Sequence, residues 1–194
     1  PFPNSDFSVR NVNELPAFQN FCQEYGIKPT YLVDYAVAND KQAANILKEF
    51  NKAQCEIGAH LHPWANPPFY DETSEYSSHV INLPLAHVKE KLSALMVAIE
   101  ENIGAKAKSF RTGRWGINGE VLELLNEAGI ETDSSVYPLY SNDFFTCEKA
   151  FRQPYWPALE DTNKAGAQRA VFEIPITCGF NRSSTDWAQT FHKL

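Results

Sequence analysis

The strongest constraint on this chain is an alternation of β-rich and helical runs along almost its whole length. Asn13 is placed to cap a helix over Glu14–Tyr25, with Leu15, Phe18, Phe21 and Cys22 at helical spacing and Gly26 ending it. Lys28–Tyr35 reads as extended, and Asn39-Asp40 can cap a second helix with Ala43, Ile46, Leu47 and Phe50 on one face. Gln54–His60 is extended, and a loop rich in Pro, Tyr and Ser runs over Pro63–Asn82. Leu85–Ile103 carries Val88, Leu92, Leu95, Met96 and Ile99 at helical periodicity and stops at Gly104. Ala107–Thr112, Ile130–Tyr137 and Arg169–Thr177 read as strands, with a helix over Asn118–Ala128 ending at Gly129. Such alternation predicts parallel strands with right-handed crossovers, satisfied by an open doubly wound sheet or by a β/α barrel.

In both architectures the working groups gather where strands end and loops begin. That rule selects Asp34, then His60 and His62, then Arg111 and Arg114, then Asp133 and Ser134, and last Thr177. Polar or ionisable groups thus stand at every strand exit.

The bulk properties exclude several classes. With 194 residues and 43% hydrophobic content, one globular domain with a sizeable core is expected. The net charge of −7 argues against nucleic acid as a partner, because a phosphate backbone needs a basic surface. No apolar run reaches transmembrane length, and the oligomeric state is unspecified. Cys22, Cys55, Cys147 and Cys178 contain no CxxC pair, so zinc-ribbon and thioredoxin chemistry have no support. They read most simply as reduced thiols, which favours a cytoplasmic over a periplasmic setting, although two disulfides in an extracellular protein fit as well. The chain opens Pro1-Phe2-Pro3 and stops at Leu194 inside a helical-looking run, so material is expected beyond one or both ends. GxGxxG, GxxxxGK[ST] and GxSxG are all absent, which leaves nucleotide binding and serine-hydrolase chemistry unsupported.

The densest motif is EIGAHLHPW. In an extended segment residues i and i+2 share a face, so His60 and His62 can converge on one divalent ion, or can serve as hydrogen-bonded loop histidines. FRTGRWG places Arg111 and Arg114 beside two glycines, which suits a guanidinium reaching into a cleft or a surface pair beside a turn. In DSSVYP, Asp133 and two hydroxyls follow a strand, and side-chain-to-backbone bonding in a turn accounts for Ser134 and Ser135. Asp34 is a lone acid in the apolar run YLVDY, where an unpartnered carboxylate is costly. His79, His87 and His192 have weaker claims, and His87 reads as surface.

Taken together, GIKPTYLVDYAV, EIGAHLHPW, NLP (Asn82–Pro84), SFRTGRWGIN and DSSVYP resemble, in order and spacing, the NodB-homology polysaccharide deacetylases of carbohydrate esterase family 4. The likeness is greatest to bacterial cell-wall-biogenesis members and runs from about residue 10 to residue 180. It implies an α/β fold, a distorted (β/α)7 barrel, incomplete here at its N- and C-terminal ends, with residues 1–194 as one domain lacking the first catalytic strand. It implies hydrolysis of N-acetyl groups from an amino-sugar-containing glycan, using a divalent metal, zinc before nickel, cobalt or iron. His60 matches the first metal-binding histidine, and Arg111 the arginine that orients the catalytic acid. The family's second histidine falls four residues after the first, where this chain has Trp64, so His62 stands in as the second metal ligand. Arg111, Asp34 and Asp133 are the catalytic candidates, and Trp64, Arg114, Trp115 and Tyr137 the substrate-binding ones.

The family's aspartate pair belongs upstream of Pro1, and its late leucine-histidine motif has only Phe191-His192 as a poor match. As this stretch alone, the chain is therefore expected to be inactive. Two alternatives accompany the deacetylase reading. One is amide or cyclic-imide hydrolysis of a small metabolite on the same fold. The other is a carbohydrate-binding pseudoenzyme that stacks sugars on Trp64, Phe69, Tyr70, Trp115 and Tyr137.

Overall fold

The computed structural model describes residues 2–50 and 52–179. Phe191, His192 and the helical run expected at the carboxyl end lie outside these residues.

The alternation read from the sequence is present. Five strands, β1 (Thr30–Val33), β2 (Glu56–Leu61), β3 (Ser109–Thr112), β4 (Thr132–Asp133) and β5 (Phe172–Glu173), form one sheet. Every adjacent pair is parallel and the spatial order is β1-β2-β3-β4-β5. This order bears on the two architectures that the sequence leaves open and is compatible with a barrel. A doubly wound sheet reverses its strand order at a switch point, whereas sequential strands with right-handed crossovers keep all helices on one face, as in a barrel wall. The sheet is open, not a closed ring, among the described residues.

The helices are α1 (Leu15–Glu24), α2 (Tyr35–Asn39), α3 (Lys41–Glu49), α4 (Leu85–Ala98) and α5 (Gly119–Glu127). Asp40 caps α3 by accepting from Ala43 N, and Asn118 caps α5 by accepting from Val121 N. Asn13 does not cap α1. It lies in a 3-10 turn, Arg10–Glu14, that runs straight into the helix, and its side chain accepts from Gln42 instead. α4 widens at its exit into a π turn, Ile99–Ile103, closed by left-handed Gly104.

The last two strands are shorter than the sequence predicts. Beyond Asp133 the seryl side chains take over backbone bonding, and Pro175 has no N–H for the ladder. Two irregular bonds continue the pairing, Ile174 N to Asp133 O and Ile176 N to Val136 O. Beneath the sheet, Leu61, Leu92, Leu95, Ile99, Phe110, Leu122 and Leu125 form one continuous core.

Candidate metal and substrate site

The exits of β2, β3 and β4 lie side by side, with His60 registered against Arg111 and Phe110 against Asp133. Most of the sequence-selected residues therefore meet on one rim of the sheet.

His60 and His62 stand with ring centroids 4.5 Å apart, one edge toward the other face. His60 Nδ1 donates to the Arg111 carbonyl at 3.0 Å. A carbonyl only accepts, so this contact fixes the proton on Nδ1 and leaves the lone pair on Nε2. Burial, reinforced by the neighbouring His62, pulls His60 down to about 4, so it is neutral at pH 7 as a metal ligand must be. His62 Nδ1 faces Asp34 Oδ2 at 3.4 Å, an acceptor that favours the same tautomer there.

Asp34 has two roles in this geometry. Its Oδ1 accepts from Val37 N and caps α2, while Oδ2 faces His62. Burial alone would raise this carboxyl, but the His62 and Val37 hydrogen bonds and the two nearby imidazoles bring it below its ordinary value. It is thus a charged partner for His62.

Gly113 keeps this arrangement possible. A Cβ there would come within 2.1 Å of His62 Cδ2 and 3.0 Å of its Nε2. On the other side, Trp64 stacks on His62 with centroids 4.5 Å apart and planes 12° from parallel. The imidazole is held between a glycine backbone and an indole.

Arg111 leans over the Trp115 ring at 5.2 Å and donates twice to Ser134, from Nε to the carbonyl and from a terminal nitrogen to Oγ. Trp115 adopts φ 62°, followed by Gly116 at 74°, and a bulky side chain in the left-handed region marks strain held by its surroundings. Gly116 N donates to Ser135 O, and Thr112 Oγ1 to Gly116 O, which secures the turn. Tyr137 packs edge-on against Trp115 and stacks on Tyr140. Arg114 is drawn to the rim, where it pairs with Glu75 and lies over Phe2. Thr177 is exposed beyond β5.

Asp133 has no exposed surface and sits behind the rim, accepting from Ser135 N and Oγ. Its partner is Glu173, which sequence reading did not single out. The two are register partners on β4 and β5, and Glu173 is equally buried. Glu173 Oε1 accepts from Val136 N, while Oε2 meets no donor if both acids are ionised. One proton shared between them makes that contact a hydrogen bond. Burial and then the neighbouring Asp133 raise Glu173 well above the ordinary carboxyl range, and burial raises Asp133 too. The only sequence signal for Glu173 was an acid inside the apolar strand RAVFEIPIT.

His79, discounted from the sequence, is buried against Phe144, with Nδ1 on Glu75 O. Lys91 was likewise missed, although positions 88, 91, 92 and 95 share one helical face and Lys91 is 4% exposed there.

The imidazole pair, with His60 neutral, offers nitrogen donors of the kind a borderline divalent ion such as zinc takes. Among the described residues no group of three or more His, Cys, Asp or Glu side chains is placed to hold a metal.

No family model matches the chain. A curated Schizosaccharomyces pombe protein named "Putative polysaccharide deacetylase" is 24% identical over 197 residues, covering 93% of this chain and 53% of that one. The chain thus spans about half the length of the curated relative it matches. That relative is a yeast protein, whereas the expected likeness is to bacterial members. Among solved structures, a "putative polysaccharide deacetylase" from Mycobacterium smegmatis superposes with TM-score 0.58 and 18% identity, over 89% of this chain and 51% of that one. A 4-alpha-glucanotransferase from Thermococcus litoralis superposes with TM-score 0.51 and 18% identity, over 84% of this chain and 23% of that one. One wall geometry therefore serves different chemistries. The resemblance read from the motifs is borne out: the chain is similar in sequence to a curated protein named "Putative polysaccharide deacetylase" and shares the parallel α/β fold of a solved structure so named.

Proposed function

We propose that this chain carries the His-His and arginine part of a metal-dependent hydrolase site that removes N-acetyl groups from an amino-sugar-containing glycan. The carrying observation is the acceptor that faces Nδ1 on each imidazole of the pair. Acceptors at both Nδ1 atoms, Arg111 O for His60 and Asp34 for His62, leave both Nε2 lone pairs available for a divalent ion. Such an ion supplies carbonyl polarisation and a water of lowered pKa. Zinc suits these donors best, with nickel, cobalt and iron as further candidates.

The chain's own residues do the rest. Asp34 orients His62 through its Nδ1. Arg111, anchored on Ser134 and flanked by Trp115, presents a fixed positive group at the rim, with the buried Asp133–Glu173 pair behind it. Trp64, Trp115 and Tyr137 offer apolar faces on which sugar rings stack, with Arg114 at the edge.

A second reading is a carbohydrate-binding pseudoenzyme. It is supported by the same aromatic faces and by the absence of a three-residue ligand group among the described residues. Metal content and deacetylation of N-acetylglucosamine oligomers, measured on the full-length protein with His60→Ala and His62→Ala, separate the two. The hydrolase reading expects both changes to lower bound metal and acetate release together. Unchanged metal content in both variants would sink it, and retained oligomer binding without acetate release would favour the pseudoenzyme.

A further inference from the structure

Lys91 is the one lysine among the described residues that lies in the core, on the buried face of α4 with Val88, Leu92 and Leu95. Buried lysines are rare because desolvating an ammonium is expensive. Burial alone pulls this group down to about 8. What offsets that cost is specific. Lys91 Nζ donates to three carbonyls of a single loop, Pro63 O at 2.9 Å, Asn66 O at 2.6 Å and Pro68 O at 2.7 Å. An ammonium has three protons, and each has an acceptor. The Phe69 and Tyr70 rings lie 5.4 and 5.6 Å from the same nitrogen. Asn66, fully buried, ties the loop back by donating to Lys91 O at 2.8 Å and to Pro67 O at 2.7 Å.

This loop starts immediately after His62 and contains Trp64, the ring that covers His62. Ala65 N donates to His62 O, so the turn carrying Trp64 is continuous with the strand end. Pro63 and Pro68 have no N–H, and the carbonyls of such a loop find few backbone donors. A cation in the core substitutes for those donors.

We propose that Lys91 is a positioning residue: its ammonium organises the Pro63–Pro68 loop so that Trp64 lies flat on His62. The inference rests on the reading of His62 as a site residue. Its consequence is that ring orientation at the rim is set by a side chain buried on α4 that touches neither imidazole.

The test uses metal-free full chain and reads His62 and Trp64 ring signals by NMR, assigned with Trp64→Phe. Stacking displaces the His62 ring protons upfield. In Lys91→Met, which keeps an apolar stem of similar length, that displacement is expected to be lost while core methyl signals of Leu92 and Leu95 persist. In Lys91→Ala, propylammonium is expected to restore it and propanol is not, because the loop needs the charge and its three protons. Wild-type His62 signals in Lys91→Met, or equal rescue by propanol, would overturn the proposal. Because no metal enters this readout, a failure of metal binding with the upfield displacement intact counts against the proposed hydrolase alone.

Discussion

Gly113→Ala tests the site at the point where backbone and imidazole touch. The added methyl would lie 2.1 Å from His62 Cδ2 and 2.8 Å from Leu61 O, against an ordinary contact of 3.4 Å or more. The shortfalls are 3.4 − 2.1 = 1.3 Å and 3.4 − 2.8 = 0.6 Å. Leu61 O is fixed by the hydrogen bond it accepts from Gly113 N at 2.9 Å, so the ring must give way. A ring displaced by more than 1 Å loses its 3.4 Å approach to Asp34 and its stack on Trp64. The methyl also crowds Nε2. Overpacking of this kind costs about 1–3 kcal/mol of stability. Loss of an oriented ligand lowers metal affinity by roughly 10–100-fold. Urea unfolding and zinc titration calorimetry on the full-length protein measure the two effects. The stability loss should shrink strongly in a His62→Ala background, since the ring is then absent and only the Leu61 O contact remains. A Gly113→Ala variant with wild-type zinc affinity, or the same stability loss in both backgrounds, would refute the reasoning.

Three further outcomes follow from the same geometry. Glu173→Gln can still donate to Asp133 and should stay within about 1 kcal/mol of wild type, whereas Glu173→Leu strands Asp133 and Val136 N and should cost about 3 kcal/mol by denaturant unfolding. Because Glu173 titrates higher folded than unfolded, its contribution is present below the ordinary carboxyl range and is lost as pH rises through the raised folded value. Arg111, Tyr155 and Cys147 face the same pair, and Glu173→Gln should flatten that decline in a stability–pH series. Asp34→Asn keeps a capping side chain but removes the charge beside His62, so zinc affinity should fall about tenfold or more and stability at neutral pH should fall by the charge's contribution alone, whereas Asp34→Ala should add about 1 kcal/mol of helix-cap loss. Asp34 titrates lower folded than unfolded, so its contribution is present above its ordinary value and is lost as pH falls through the depressed one. The acid limb of the stability–pH curve should accordingly be shallower in Asp34→Asn.

Much of this site was legible in the chain because local chemistry wrote it there. The period of the apolar residues set the helices and strands, Asp40, Asn118, Gly26 and Gly104 punctuated them, and the strand-exit rule gathered His60, His62, Arg111 and Asp133 before any coordinates. Spacing along one strand is fixed by the pleat, so the His60–His62 pairing was already implied by HLH. Contacts between strands and helices distant in sequence carry no such period. Only the tertiary structure decided that the strands run in sequential order, that Glu173 lies against Asp133, and that Gly113 makes room for His62. Lys91 lies 25 residues from Asn66, and the helical spacing that marked its face as apolar could not say that three carbonyls wait there. The physical reason is the same in each case: an unpaired buried charge or an empty site for a methyl group is defined by what folding brings against it, and the sequence supplies only one side of that contact.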